Sequence, residues 1–292
     1  MDLKKFYRFF SLFILILSIC YFGYFIIYNA DQFKNLLNIK PQSIFAIFLL
    51  KFFNIFFLSG INLNILKNLN INLTNNESLD VTVKNTLGNL SSPFKLGSGY
   101  KLTFLKSKYD FKVKDYLFWT TLYGVINLYP LYLIFLIFSF IQSNEISLIH
   151  LYFLIFIGVS LFSLPKILKN QKIKTFFNLK ENFNFFSKTN YLIQLNNILF
   201  FLSTSLIVLI IIQSYDDNFS LFSSISYSFL SSFVNLINIT PGNIGTKEGL
   251  IILFNQIHGI GFEIIIITSF IERFTSLVTL FLFNIFLKKS EN

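Results

Sequence analysis

The sequence predicts an all-α polytopic membrane protein with about six to eight transmembrane helices. Three observations lead there. Hydrophobic residues make up 54% of the 292-residue chain, charged residues only 13%, and mean hydropathy is +0.63. The apolar residues gather into stretches long enough to cross a hydrocarbon core of about 30 Å. The lysines lie mainly between those stretches rather than within them.

In chain order, spans are expected near Phe9–Tyr28, Ser43–Leu66, Tyr116–Ile141, Ile146–Leu164, Tyr191–Gln213 and Phe262–Leu287. The first looks like a signal peptide, but no small-x-small cleavage site follows it, and it reads as a retained helix. A further segment, Phe219–Ile239, is apolar but rich in serine.

Charge then orients the spans. Lys4, Lys5 and Arg8 precede the first one, eight lysines fall in the connection Lys67–Lys114, six in Lys166–Lys188, and Lys288 and Lys289 follow the last. Cytoplasmic connections are the ones enriched in lysine and arginine. If Phe219–Ile239 simply crossed, the closing lysines would lie outside. A re-entrant hairpin that turns at Pro241 and returns along Lys247–His258 puts them in the cytoplasm, as does a full eighth crossing through Lys247–Ile260. Both termini are therefore expected to be cytoplasmic. The 166–190 segment is a cytoplasmic linker, solvated near anionic lipid.

The break itself reads "PGNIGTKEGL" from Pro241, and an echo, "PFKLGSGYKL", starts at Pro93, 148 residues earlier. Two broken segments approaching from opposite sides are the sequence sign of an inverted repeat with its site near the midplane. The halves would be about 43–141 and 191–287 of a single domain, 1–292. Non-helical backbone at membrane depth requires burial in protein or a watery cavity. Pro241 suits a chain break, Gly242 and Gly245 permit positive φ and close approach, and Thr246 is an expected N-cap for a helix starting at Lys247. Free amides at that helix start, beside Lys247, would seat an anion. Glu248 could offset the helix dipole or pair with Arg273 inside the last span. Lys51 raises the same question in the second span, because ionisable groups near a bilayer centre mark function by default. The plainer readings are a solvated interfacial loop around Pro241 and a Glu272–Arg273 pair that only fixes helix packing.

Other classes find little support. Net charge is +10, which in this setting reports topology rather than nucleic acid. A single cysteine, Cys20, cannot form an intrachain disulfide, and His150 and His258 show no metal-ligand spacing. No cofactor, nucleophile–base pair or phosphate loop of the soluble type is expected, so the chain is not read as an enzyme.

At Pro241–Gly249 the sequence resembles the signature of the lysylphosphatidylglycerol synthase transmembrane-domain family, also called flippase-like integral membrane proteins. Members usually read Pro-Gly-Gly-x-Gly-x-Arg-Glu there. Pro241, Gly242, Gly245 and Glu248 match, while Asn243 stands for glycine and Lys247 for arginine. "SSPFKLGSGYKLTFLKSKYDF" resembles a second family element through Pro93, Gly97, Lys101, Leu105 and Lys106, and Arg273 also fits.

The resemblance implies the membrane part of such proteins, without the domain that transfers lysine from lysyl-tRNA. It implies a flippase-like role in the cell (inner) membrane, moving an anionic phospholipid or lipid-linked glycan. The substrate-binding set would be Lys95, Gly97, Lys101, Pro241, Gly242, Gly245, Lys247, Glu248 and Arg273. Lys101 and Lys247 would meet the headgroup phosphate, and Glu248 and Arg273 would form a gating pair. Lysine in place of arginine offers a point charge rather than a bidentate fork. The alternatives are an enzyme acting on a lipid phosphate and a non-catalytic membrane partner of a lipid- or glycan-modifying enzyme. A homo-oligomer or such an enzyme would be the protein partner.

Overall fold

A computed structural model describes residues 39–91, 96–143, 155, 159, 187–237, 243–253 and 260–290. The expected first span, most of Ile146–Leu164, the bulk of the 166–190 linker, Lys95, Pro241, Gly242, Cys20 and both histidines lie outside them. The described residues form eight helices and no strands: α1 (Pro41–Asn68), α2 (Asn75–Ser91), α3 (Leu96–Tyr109), α4 (Val113–Ser143), α5 (Lys188–Gln213), α6 (Leu221–Ile237), α7 (Thr246–Leu253) and α8 (Phe262–Ser290). Four of them, α1, α4, α5 and α8, are long and apolar enough to cross a membrane.

Local chemistry sets the boundaries. Pro41 opens α1, where its missing N–H costs nothing. The helix stops at Asn70, whose φ is +63°. There the Ile71 and Asn70 amides donate to the Leu66 and Lys67 carbonyls, and Ile71 packs with Leu66 in one apolar cluster. This is a Schellman-type ending with asparagine in the place of glycine. Thr74 and Glu77 start α2 by reciprocal bonds, Thr74 N–H to Glu77 Oε2 at 2.8 Å and Glu77 N–H to Thr74 Oγ1 at 3.2 Å. Lys108 of α3 pairs with the same Glu77 carboxylate. The connection Lys67–Lys114 is thus two helices folded against each other rather than an open loop. Its polarity hid them, because α2 carries too few apolar residues for a span.

The order long, 17-residue, short, long occurs twice. Helix lengths run 28, 17, 14 and 31 residues, then 26, 17, 8 and 29. The first four start at 41, 75, 96 and 113, the second four at 188, 221, 246 and 262, a shift of 146–150 residues. Packing repeats as well: α1 on α2 matches α5 on α6, α2 on α8 matches α6 on α4, and α1 on α8 matches α5 on α4.

The two lead helices, α1 and α5, share the largest interface, and they run antiparallel. Asn68 Nδ2 donates to Asn190 Oδ1 at 2.8 Å, Gly60 faces Asn196, Ser203 donates to the Leu50 carbonyl at 3.4 Å, and Ile47 packs with Ile207 and Ile211. One chain number rises as the other falls along the whole contact. Aromatic stacking then locks α4 to α6, with Phe135 and Phe229 rings 4.9 Å apart and only 4° from parallel.

Candidate functional site

Where α1 and α5 cross, six helices line a half-open cavity of about 190 Å³. Lys51 and Asn54 reach it from α1, Thr86 from α2, Thr204 from α5, Ser228, Ser231, Ser232 and Asn235 from α6, Lys247 from α7, and Glu272 and Arg273 from α8. Both halves of the repeated helix order therefore contribute to one chamber, in which charged and hydroxyl side chains sit among apolar ones.

The α7 start explains how its charges are aimed. Gly245 precedes the first helical residue with φ +80°, a conformation glycine adopts without strain. Asn243 has φ +58°, and asparagine is among the few side chains that enter that region readily. Asn243, which stands where the resembling signature has glycine, is thus held in a conformation that glycine also adopts freely. Asn243 also donates through Nδ2 to Asn235 Oδ1 of α6 at 2.7 Å.

Glu248, in the first turn, reaches back so that the Gly245 amide donates to its Oε2 at 2.7 Å. Half of a capping box is formed. The expected cap differs: Thr246 is itself the first helical residue, and its hydroxyl donates to the Asn243 carbonyl at 3.1 Å. The Gly245 amide is thus occupied by Glu248.

Neighbouring residues on two helices then pair crosswise. Lys247 Nζ lies 2.5 Å from Glu272 Oε2, and Arg273 Nη1 lies 2.7 Å from Glu248 Oε1. The pairing runs between α7 and α8, not between Glu272 and Arg273 along α8. Each carboxylate has further donors: Ser269 gives its hydroxyl to Glu248 Oε1, and Tyr227 donates to Glu272 Oε2 at 3.4 Å. Lys247 also sits 5.0 Å from the Tyr227 ring centroid, within cation–π range.

The quartet is neutral. Lys51 adds one positive charge, and among the described residues its ammonium has no hydrogen-bond or ion-pair partner, although the charges of Glu272 and Lys247 act on it. Three cations against two carboxylates leave the cluster with a single net positive charge.

The other candidate residues lie elsewhere. Lys101 is buried on α3, donating to Asn62 Oδ1 of α1 at 2.5 Å, and does not line the cavity. Gly97 faces α2: a Cβ there would stand 1.9 Å from the Asn85 carbonyl oxygen. Its observed role is to let two backbones touch. At Gly245 a Cβ would meet only open space, so its φ alone resists substitution. Gly245→Ala is expected to lose about 1–2 kcal/mol of stability from that strain alone, and Gly245→Asn less, in thermal melts of the purified protein.

What the sequence reading left out is the wall of the chamber. The serines of Phe219–Ile239 drew notice only as an oddity of composition. The spacing of Ser228, Ser231 and Ser232, with Asn235, places them on one helix face.

Four membrane-length apolar helices, three of them lining a charged chamber, define a multi-pass integral membrane protein. The chain belongs to the family described as Lysylphosphatidylglycerol synthase TM region, whose sequence model matches residues 8–284. No curated protein and no solved structure matches it.

Proposed function

We propose that this protein moves an anionic phospholipid or lipid-linked glycan across the cell (inner) membrane, with the headgroup phosphate seated in the central chamber. The observation that carries this reading is the single net positive charge where the antiparallel helices α1 and α5 cross. In a bilayer such charges are costly, about 2.5–3.5 kcal/mol each on insertion scales, and an arrangement that leaves one uncompensated favours an anionic occupant.

On this reading α2–α3 and α6–α7 are re-entrant hairpins entering from opposite sides, and the halves, about 43–141 and 191–287, form an inverted repeat. Lysine-rich connections and both termini face the cytoplasm. Rocking of one half against the other would expose the chamber alternately. No nucleotide-hydrolysis motif is present in the sequence, so movement is passive or ion-coupled.

The test is a leaflet-resolved assay in proteoliposomes carrying a fluorescent phosphatidylglycerol. Protein-dependent movement is expected, falling roughly tenfold in Lys247→Gln, the scale of one charge-assisted bond. Absence of movement for every anionic lipid offered would overturn the proposal, and recovery of a chemically converted lipid would favour the enzymatic alternative.

A further inference from the structure

The chamber carries more than charge. Asn54 Oδ1, Ser228 Oγ and Ser231 Oγ border it, on residues no more than 5% exposed, and none of these atoms has a hydrogen-bond partner among the described residues. Buried polar atoms in folded proteins are normally bonded, and each orphan calls for a missing partner. Ser232 and Asn235 continue the same face of α6. One wall of the chamber is therefore neutral and rich in hydroxyls and amides.

The charged wall is equally informative. Glu272, which lines the chamber, and Glu248, which does not, are each committed to a cation and to a further hydroxyl donor. Among the described residues no carboxylate in the chamber is left to receive an ammonium, and Lys51 would repel one. An occupant with one negative charge neutralises the cluster; a second negative charge would not be matched. The cavity, about 190 Å³ and only half enclosed, has room for a head group.

From these observations we infer that the chamber selects a phosphodiester monoanion whose head group is neutral and hydroxylated, a glycerol or a sugar, and discriminates against head groups bearing an ammonium. The phosphate lies against Lys51 and Lys247. The head-group hydroxyls donate to Asn54 Oδ1 and bond Ser228 and Ser231, whose hydroxyls donate or accept as the ligand requires. This inference rests on the lipid-translocation reading above and sharpens its substrate class.

Equilibrium binding to the purified full chain tests it with short-chain probes: dioctanoyl phosphatidylglycerol, a decyl phosphoglucose, dioctanoyl phosphatidylethanolamine, dioctanoyl phosphatidic acid and inorganic phosphate. The glycerol and sugar probes identify the source of the hydroxyls. At least one of them is expected to bind roughly tenfold tighter than the ethanolamine lipid and the phosphomonoester, the worth of about one bond to a charged group. Lys51→Gln removes that preference, and Lys51→Arg retains it. Ser228→Ala with Ser231→Ala narrows the preference while phosphate binding persists, which serves where Lys51→Gln does not fold.

Equal binding of the ethanolamine lipid and both hydroxylated probes overturns the inference, as does a folded Lys51→Gln protein with unchanged preference. The leaflet assay with the same head groups separates the two claims. Selective binding without movement keeps the head-group assignment and sinks translocation. Movement without head-group preference does the reverse.

Discussion

Glu272→Gln is expected to destabilise the protein by about 3–5 kcal/mol, the cost of removing one partner from a buried ion pair. Glu272 is only 6% exposed. It holds Lys247 at 2.5 Å and accepts from Tyr227 at 3.4 Å, and its charge also acts on Lys51. Neutralising it leaves two lysines facing each other across the chamber with no carboxylate between them. Removing both partners of a buried pair is often close to neutral. Lys247→Gln combined with Glu272→Gln should therefore recover most of the lost stability. Thermal or denaturant unfolding in nanodiscs measures both variants, and a double variant as unstable as the sum of the singles would refute the pairing.

Gly97→Ala should be almost as damaging, for a reason unrelated to charge. A Cβ at Gly97 would sit 1.9 Å from the Asn85 carbonyl oxygen and 2.6 Å from the Asn89 amide nitrogen, and a Cβ at Gly88 on the facing helix would meet the Gly97 Cα at 2.6 Å. These are backbone atoms, which cannot swing aside. The α2–α3 hairpin must open, at a cost above the roughly 1–3 kcal/mol usual for overpacking. Gly249→Ala is the matched control. Nothing lies within 4 Å of its Cβ, and alanine in the helical middle of α7 should gain up to about 1 kcal/mol. Melting curves of the two variants should shift in opposite directions. A neutral Gly97→Ala would mean that α2 and α3 do not pack in this register.

The pattern of damage parallels what sequence could and could not show. Apolar length alone located the four membrane-scale helices, since Ser43–Leu66, Tyr116–Ile141, Tyr191–Gln213 and Phe262–Leu287 each fall within an observed helix. Gly245 marked the break before α7, where the backbone takes a positive φ. Helix α2 went unread because it is polar, and the one local clue, threonine three residues before Glu77, is a cap signal easily lost in a lysine-rich connection. The crosswise pairing of Lys247 with Glu272 and Glu248 with Arg273 could not be read from order along the chain, because it depends on how α7 lies against α8. Lys101 shows the converse. Its motif drew it toward the anion site, whereas its position on α3 delivers it to Asn62.

The central claim is that the Lys51–Lys247 chamber receives a lipid phosphate. The most direct measurement uses a phosphatidylglycerol with a photoreactive diazirine on its head group, reconstituted with the full chain and mapped by mass spectrometry after illumination. The account predicts adducts on the chamber walls, at Ser231, Ser232 or Ser276, competed by unlabelled lipid and lost in Lys51→Gln. Adducts confined to lysines at the membrane surface, unchanged by that substitution, would contradict it.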